Sequence, residues 1–102
     1  MNPQEMMRNA LRMKAKLEKI QEEVGQRTVD GTAGGGGVVV TATGKGQIVA
    51  VKIAPDAVTP DDVEMLQDLV LTACNQALTA AHEMMQSEVS KVTGNLGMPG
   101  IF

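Results

Sequence analysis

Aromatic side chains are almost missing from this chain of 102 residues: there is no Trp, no Tyr and a single Phe, Phe102. A core must therefore be aliphatic, built from Val, Ile, Leu, Ala and Met. Chains of this size bury only about two-thirds of the surface they expose when unfolded. Association with a second copy is the expected remedy. Single-stranded nucleic acid bound by base stacking is disfavoured by the same lack of rings. Cysteine and histidine are equally scarce. Cys74 stands alone, which excludes a disulfide framework and a cysteine metal cluster. His82 is the only imidazole, so no histidine pair can hold a metal. The two lie eight residues apart on one helical segment, about 12 Å along its axis. That is too far for a nucleophile and its base, so Cys74 reads as a buried small hydrophobe and His82 as a helix-surface residue. No enzyme activity, cofactor, metal or small-molecule substrate is expected. No apolar run approaches a membrane span, and the opening Met-Asn-Pro-Gln-Glu has no apolar h-region. A cytoplasmic protein with no membrane partner is expected.

Glycine, by contrast, is concentrated. Gly31-Thr32-Ala33-Gly34-Gly35-Gly36-Gly37 invites comparison with a phosphate loop, but such a loop needs Gly-Lys-Ser/Thr feeding a helix. Here Gly37 leads into Val38-Val39-Val40-Thr41-Ala42-Thr43, a β-branched strand, so the run reads as a flexible connection. Gly44-Lys45-Gly46 is a tight turn, and Gln47 to Ile53 returns as the second arm of a hairpin. Alternation puts Val49, Val51 and Ile53 on one face and Ile48, Ala50 and Lys52 on the other. Neither face is strongly polar, so helices on one side and further cover elsewhere, such as a second subunit, are expected. A short extended piece at Thr28–Asp30 precedes the glycines.

Two long helices flank this region. Asn2 caps the first, with Pro3 at its first position and Gly25 as its stop. Thr59 and Pro60 open the second, with Asp61 and Asp62 complementing the positive end of its dipole. Gly94 closes it. In the first helix, Met6, Ala10, Met13, Leu17, Ile20 and Val24 recur at spacings of four and three, the repeat of a packing seam that needs a partner helix. Arg8, Arg12, Lys16 and Lys19 run along the opposite side, roughly 200° to 280° around the axis from Met6 at about 100° per residue. Residues 1–27 carry six bases against four acids, while the rest of the chain carries three against eight. The net charge of −3 argues against a general nucleic-acid binder; this asymmetry argues for a polyanion met by the first helix. A solvated face with local pairs Glu5–Arg8, Lys14–Glu18 and Lys19–Glu23 accounts for the same residues.

Several stretches in order carry a resemblance: Ile53-Ala54-Pro55-Asp56, Asp61 to Val70 with Ala73, Asn75 and Ala77, Ile20-Gln21-Glu22-Glu23, and Gly97-Met98-Pro99-Gly100-Ile101-Phe102. Over nearly its whole length the chain resembles the YbaB/EbfC family of bacterial nucleoid-associated proteins. The resemblance implies an α+β fold with a long amino-terminal helix, a three-stranded antiparallel sheet and a long carboxy-terminal helix, forming a tweezer-like homodimer. In this reading one domain spans 1–94, with helices over 3–25 and 60–93, strands near 28–31, 37–43 and 47–53, and a flexible tail over 95–102. It further implies binding of double-stranded DNA with low sequence specificity, with effects on DNA conformation, nucleoid organisation and gene expression. Arg8, Arg12, Lys16 and Lys19, with Arg27 beside them, are the positions carried over as DNA contacts. The competing reading is a homodimeric adaptor that docks on replication or recombination proteins, with the tail at Ile101-Phe102 as the docking peptide.

Overall fold

The computed structural model describes residues 2–94, so the expected tail over 95–102 lies outside the described residues. The elements are α1 (Pro3–Gln26), β1 (Thr28–Ala33), β2 (Val38–Thr43), β3 (Ile48–Ile53), a 3₁₀ turn at Pro55–Ala57, and α2 (Val63–Gly94). The strands form one antiparallel sheet in the order β1-β2-β3. The architecture is α+β, as expected. No described helix is long and apolar enough to cross a membrane.

Local chemistry sets the helix ends. Asn2 Oδ1 accepts the Glu5 backbone N–H at 2.8 Å, and Pro3 follows it, so α1 starts where expected. The start of α2 differs. Pro60 and Asp61 lie in a turn closed by the Asp62 N–H donating to the Thr59 carbonyl at 2.9 Å. Asp62 then accepts the Met65 N–H at 3.1 Å and caps the helix in place of Thr59. Aspartate is the stronger cap of the two, and it delays the helix by three residues. Gly25 is likewise no stop: α1 continues to Gln26, and the buried Gly25 lies beneath the stem of Lys45.

The glycine-rich segment also departs from a wholly flexible connection. Gly31, Thr32 and Ala33 complete β1, and only Gly34–Gly37 form the turn to β2. The reason is packing. A Cβ on Gly31 would sit 2.2 Å from the Ala73 carbonyl oxygen and 2.4 Å from the Ala77 nitrogen. Only a bare backbone at this position lets α2 lie directly on the strand. Around that contact Val38, Val40, Ala42, Ala73, Ala77 and Ala81 form a fully buried core, with Val29, Ala33, Leu66, Leu69, Val70, Cys74 and Leu78 at its border. Cys74 is thus half-buried rather than fully buried.

The other face of the sheet is polar on β1 and β2. Asp30 and Thr41 pair across the strands, and the Thr41 hydroxyl donates to Asp30 Oδ1 at 2.7 Å. β3 is different again, because its register shifts at Thr41/Ala42. Ala50 pairs with Thr41 but Ile48 pairs with Ala42, leaving Val49 as the extra residue of a β-bulge. Ile48 therefore shares the α2-side register positions with Val51 and Ile53, which corrects the simple alternation. α2 barely reaches β3, and all six of its residues are exposed.

The Gly31 contact gives a direct stability test. Gly31→Ala forces α2 off β1 and should destabilise the fold by about 1–3 kcal/mol, the usual cost of overpacking. Gly94→Ala, which meets no atom within 4 Å, should not destabilise it. Urea unfolding of both variants measures the difference, and equal midpoints would show that the sheet–helix contact is looser than this geometry.

Candidate nucleic-acid interface

The carboxyl end of α1 is fixed to the rest of the molecule at two points. The Gly44 N–H donates to the Arg27 carbonyl at 3.0 Å, seating the helix end against the β2–β3 turn. On α2, the Glu88 carboxylate lies 3.7 Å from the Arg27 guanidinium and 3.0 Å from Lys91 Nζ. The hydrogen bond and charge of Lys91, followed by the charge of Arg27, hold the Glu88 carboxyl below its ordinary range. α1 packs on α2, and burial along the seam is graded. Val24 is buried, Ile20, Leu17 and Met13 are half-buried, and Ala10 and Met6 are exposed. The seam is therefore filled within one protomer over its carboxyl half only.

The basic stripe faces solvent. Arg8, Arg12, Lys16 and Lys19 are all exposed, and none of them makes an ion pair among the described residues. Of the three local pairs that could have neutralised this surface, only Lys14–Glu18 forms, at 3.9 Å and well exposed. Such a pair contributes little. The four uncompensated cations rise about 16 Å along the axis from Arg8 to Lys19, at 1.5 Å per residue. This is close to five steps of a nucleic-acid strand at about 3.4 Å each. Arg27 stands apart from them, at the helix end and turned to Glu88.

Acidic groups collect elsewhere. Asp56, Asp61, Asp62, Glu64 and Asp68 surround the start of α2, and that start lies about 38 Å along the helix from Glu88 at 1.5 Å per residue. An open cleft of about 410 Å³ lies between α1, the β2–β3 turn and α2, lined by Glu18, Gln21, Glu22, Lys45 and Met85. With two carboxylates beside one lysine it has no bias toward anions. The strongest anion-seeking surface is thus the α1 stripe. It offers charge at helical spacing, without rings to stack on bases.

A small α+β chain that displays an unpaired cationic helix in this way is charged to attract a polyanion. Comparison with known proteins agrees. The YbaB/EbfC DNA-binding family matches residues 1–96. A nucleoid-associated protein of Desulforamulus reducens is 52% identical over 101 residues, covering 99% of this chain and 96% of its own. A nucleoid-associated protein of Pelotomaculum thermopropionicum is 48% identical with the same coverage. The crystal structure of an uncharacterized protein from Helicobacter pylori superposes with a TM-score of 0.63 at 25% identity, over 74% of this chain and 87% of its own. The chain belongs to the YbaB/EbfC DNA-binding family.

The Glu88 contact is testable by its titration. Because its carboxyl is held low, its contribution to the α1–α2 contact is present above the ordinary carboxylate range and is lost as pH falls through the lowered value. Carboxylate NMR should show Lys91→Ala raising the Glu88 pKa more than Arg27→Ala does. The reverse order would mean that Arg27 is the dominant partner.

Proposed function

We propose that the protein is a nucleoid-associated, homodimeric binder of double-stranded DNA that contacts phosphates through Arg8, Arg12, Lys16 and Lys19 of α1. One observation carries this reading: the four cations lie on the side of α1 away from its apolar seam, exposed and without an ion pair among the described residues. Membership of a DNA-binding family supplies the polyanion. Arg27 plays a lesser part, because it stands off the stripe and shares Glu88 with Lys91.

Phosphate contacts fix position without reporting sequence. A helix whose cations reach the backbone, with no aromatic residue among residues 1–94, binds with low sequence specificity. A dimer carries the stripe twice, and two stripes on one duplex constrain its path. Altered DNA conformation, nucleoid organisation and gene expression follow from that constraint. No step of chemical turnover is part of this function.

The exposed face of β3 supports a position for the second copy. Val49, Val51, Ile48 and Ile53 are 57%, 47%, 42% and 42% exposed on an edge strand whose only charge is Lys52. An uncovered apolar edge invites pairing or aggregation unless another chain covers it. Covering β3 with its two-fold copy removes the edge from both chains and leaves α1 free. Val51→Lys should leave the protomer folded, since the side chain is half in solvent, and convert a dimer to a monomer in light scattering. A dimer of unchanged mass would remove β3 from the interface.

The DNA contact is tested by binding to a labelled duplex between 50 and 200 mM salt. Four phosphate contacts, each adding about 0.9 to the log–log slope, predict an affinity loss of about 100-fold per stripe across that range. The Arg8/Arg12/Lys16/Lys19→Ala variant keeps its helix, because alanine is the best helix former, and should lose both the binding and the salt dependence. Salt-insensitive binding, or full binding by the variant, would refute the phosphate-contact reading.

A further inference from the structure

The apolar stripe of α1 runs on past its cover. Beyond the half-buried Met13 it continues through Ala10 and Met6, and it widens to include Met7 and Leu11, about 100° and 140° around the axis from Met6. Met6, Met7 and Leu11 are 57%, 62% and 58% exposed. Arg8 and Arg12 occupy the opposite side of the same two to three turns. The stretch is therefore continuous with the α1–α2 seam but has no partner within the described chain.

We infer that this amino-terminal arm pairs with the same arm of a second copy, joining neighbouring dimers once they are on DNA. The inference rests on the DNA-binding reading above. Continuity with the established seam is its first support: the side chains already packed on α2 and those left bare form one row. Self-complementarity is the second. Ala10 at the centre of the bare stretch allows close approach of two helix axes, and flexible methionines adapt to an identical surface. Charge supplies the condition. Residues 2–14 carry Arg8, Arg12 and Lys14 against Glu5 alone, so two arms repel each other in free solution and phosphates relieve that repulsion.

Size points the same way. One arm offers far less than the ~800 Å² that each partner gives to a stable interface. Pairing is therefore weak until DNA holds two dimers close and raises their effective concentration. The arm tip lies about 30 Å along α1 from the sheet, at 1.5 Å per residue, so a dimer contact at β3 leaves it open. Pairing through Met6, Met7 and Ala10 leaves Arg12, Lys16 and Lys19 outward, while Arg8, about 60° around from Leu11, and Lys14, at about 80° from Met6, border the paired faces; an arm pair can still hold two stretches of phosphate backbone.

The test uses the full chain and two duplexes. The first has about 20 base pairs, matching the 70 Å protomer length at 3.4 Å per pair; the second is several times longer. Met7→Gln/Leu11→Gln removes the apolar surface without changing charge. Wild type and variant should bind the short duplex equally, while only wild type binds the long one cooperatively. In a Cys74→Ala background, Leu11→Cys should form disulfides between dimers on the long duplex and none in free protein. Equal cooperativity of wild type and variant would overturn the inference. So would a disulfide in the free protein without gain of mass, which would pair the arms inside one dimer. A variant that loses thermal stability but keeps cooperativity would give the stripe to a segment of its own chain, overturning it as well. Failure of wild type to bind even the short duplex is a separate result that removes the DNA-binding reading on which the inference stands.

Discussion

The structure depends on one close approach, that of α2 to β1 at Gly31. With no side chain on Gly31 and only methyl groups at Ala73, Ala77 and Ala81, the helix lies nearly on the sheet backbone. This tight seating makes up for the missing rings, since Val38 and Val40 are the largest fully buried side chains. It also has a geometric consequence. A helix is about 10 Å wide, and strands lie about 4.8 Å apart, so a helix seated over β1 and β2 cannot also cover β3. The exposed apolar edge follows from the same contact that creates the core.

The second consequence is length. α2 spans Val63–Gly94, about 48 Å at 1.5 Å per residue, far more than strands of six residues need. The part that overhangs the sheet serves as the platform for α1. Glu88 ties down the end of α1, and the seam fades toward its tip. A protomer of 70 × 22 × 16 Å results, with an acidic body and a cationic arm. The exposed apolar edge and the cationic stripe are thereby held apart on one small chain.

Much of this was legible in the sequence. The three–four rhythm of Met6 to Val24, the β-branched run at Val38 and the alanine row of α2 carried periods that only one element type satisfies. The basic stripe was legible as well, because helical spacing alone fixes which residues share a side. What resisted reading were features set by tertiary contact or by local competition. Gly31 reads as a loop residue until α2 is known to lie against it. The bulge at Val49 depends on pairing with β2, which no period of β3 reports. The cap moved from Thr59 to Asp62 because the turn over Pro60 and Asp61 sets the stronger cap three residues on, whereas Asp62 reads from the sequence only as a complement to the helix dipole. Whether the stripe cations paired locally was also beyond reach, since Glu5 stood within range of Arg8 and Glu23 of Lys19; neither pair forms, and Glu18 meets Lys14 outside the stripe.

The net charge of −3 looks at first like an objection to DNA binding. The distances answer it. Five of the twelve acids surround the start of α2, at the opposite end of the molecule from the α1 tip. The separation is several times the Debye length, which is about 8 Å at physiological ionic strength. Under those conditions a polyanion beside the arm feels mainly the arm's own charge, and the acids around the start of α2 contribute almost nothing there. Charge segregation along an elongated chain thus lets a member of a DNA-binding family be acidic as a whole and cationic along one helix.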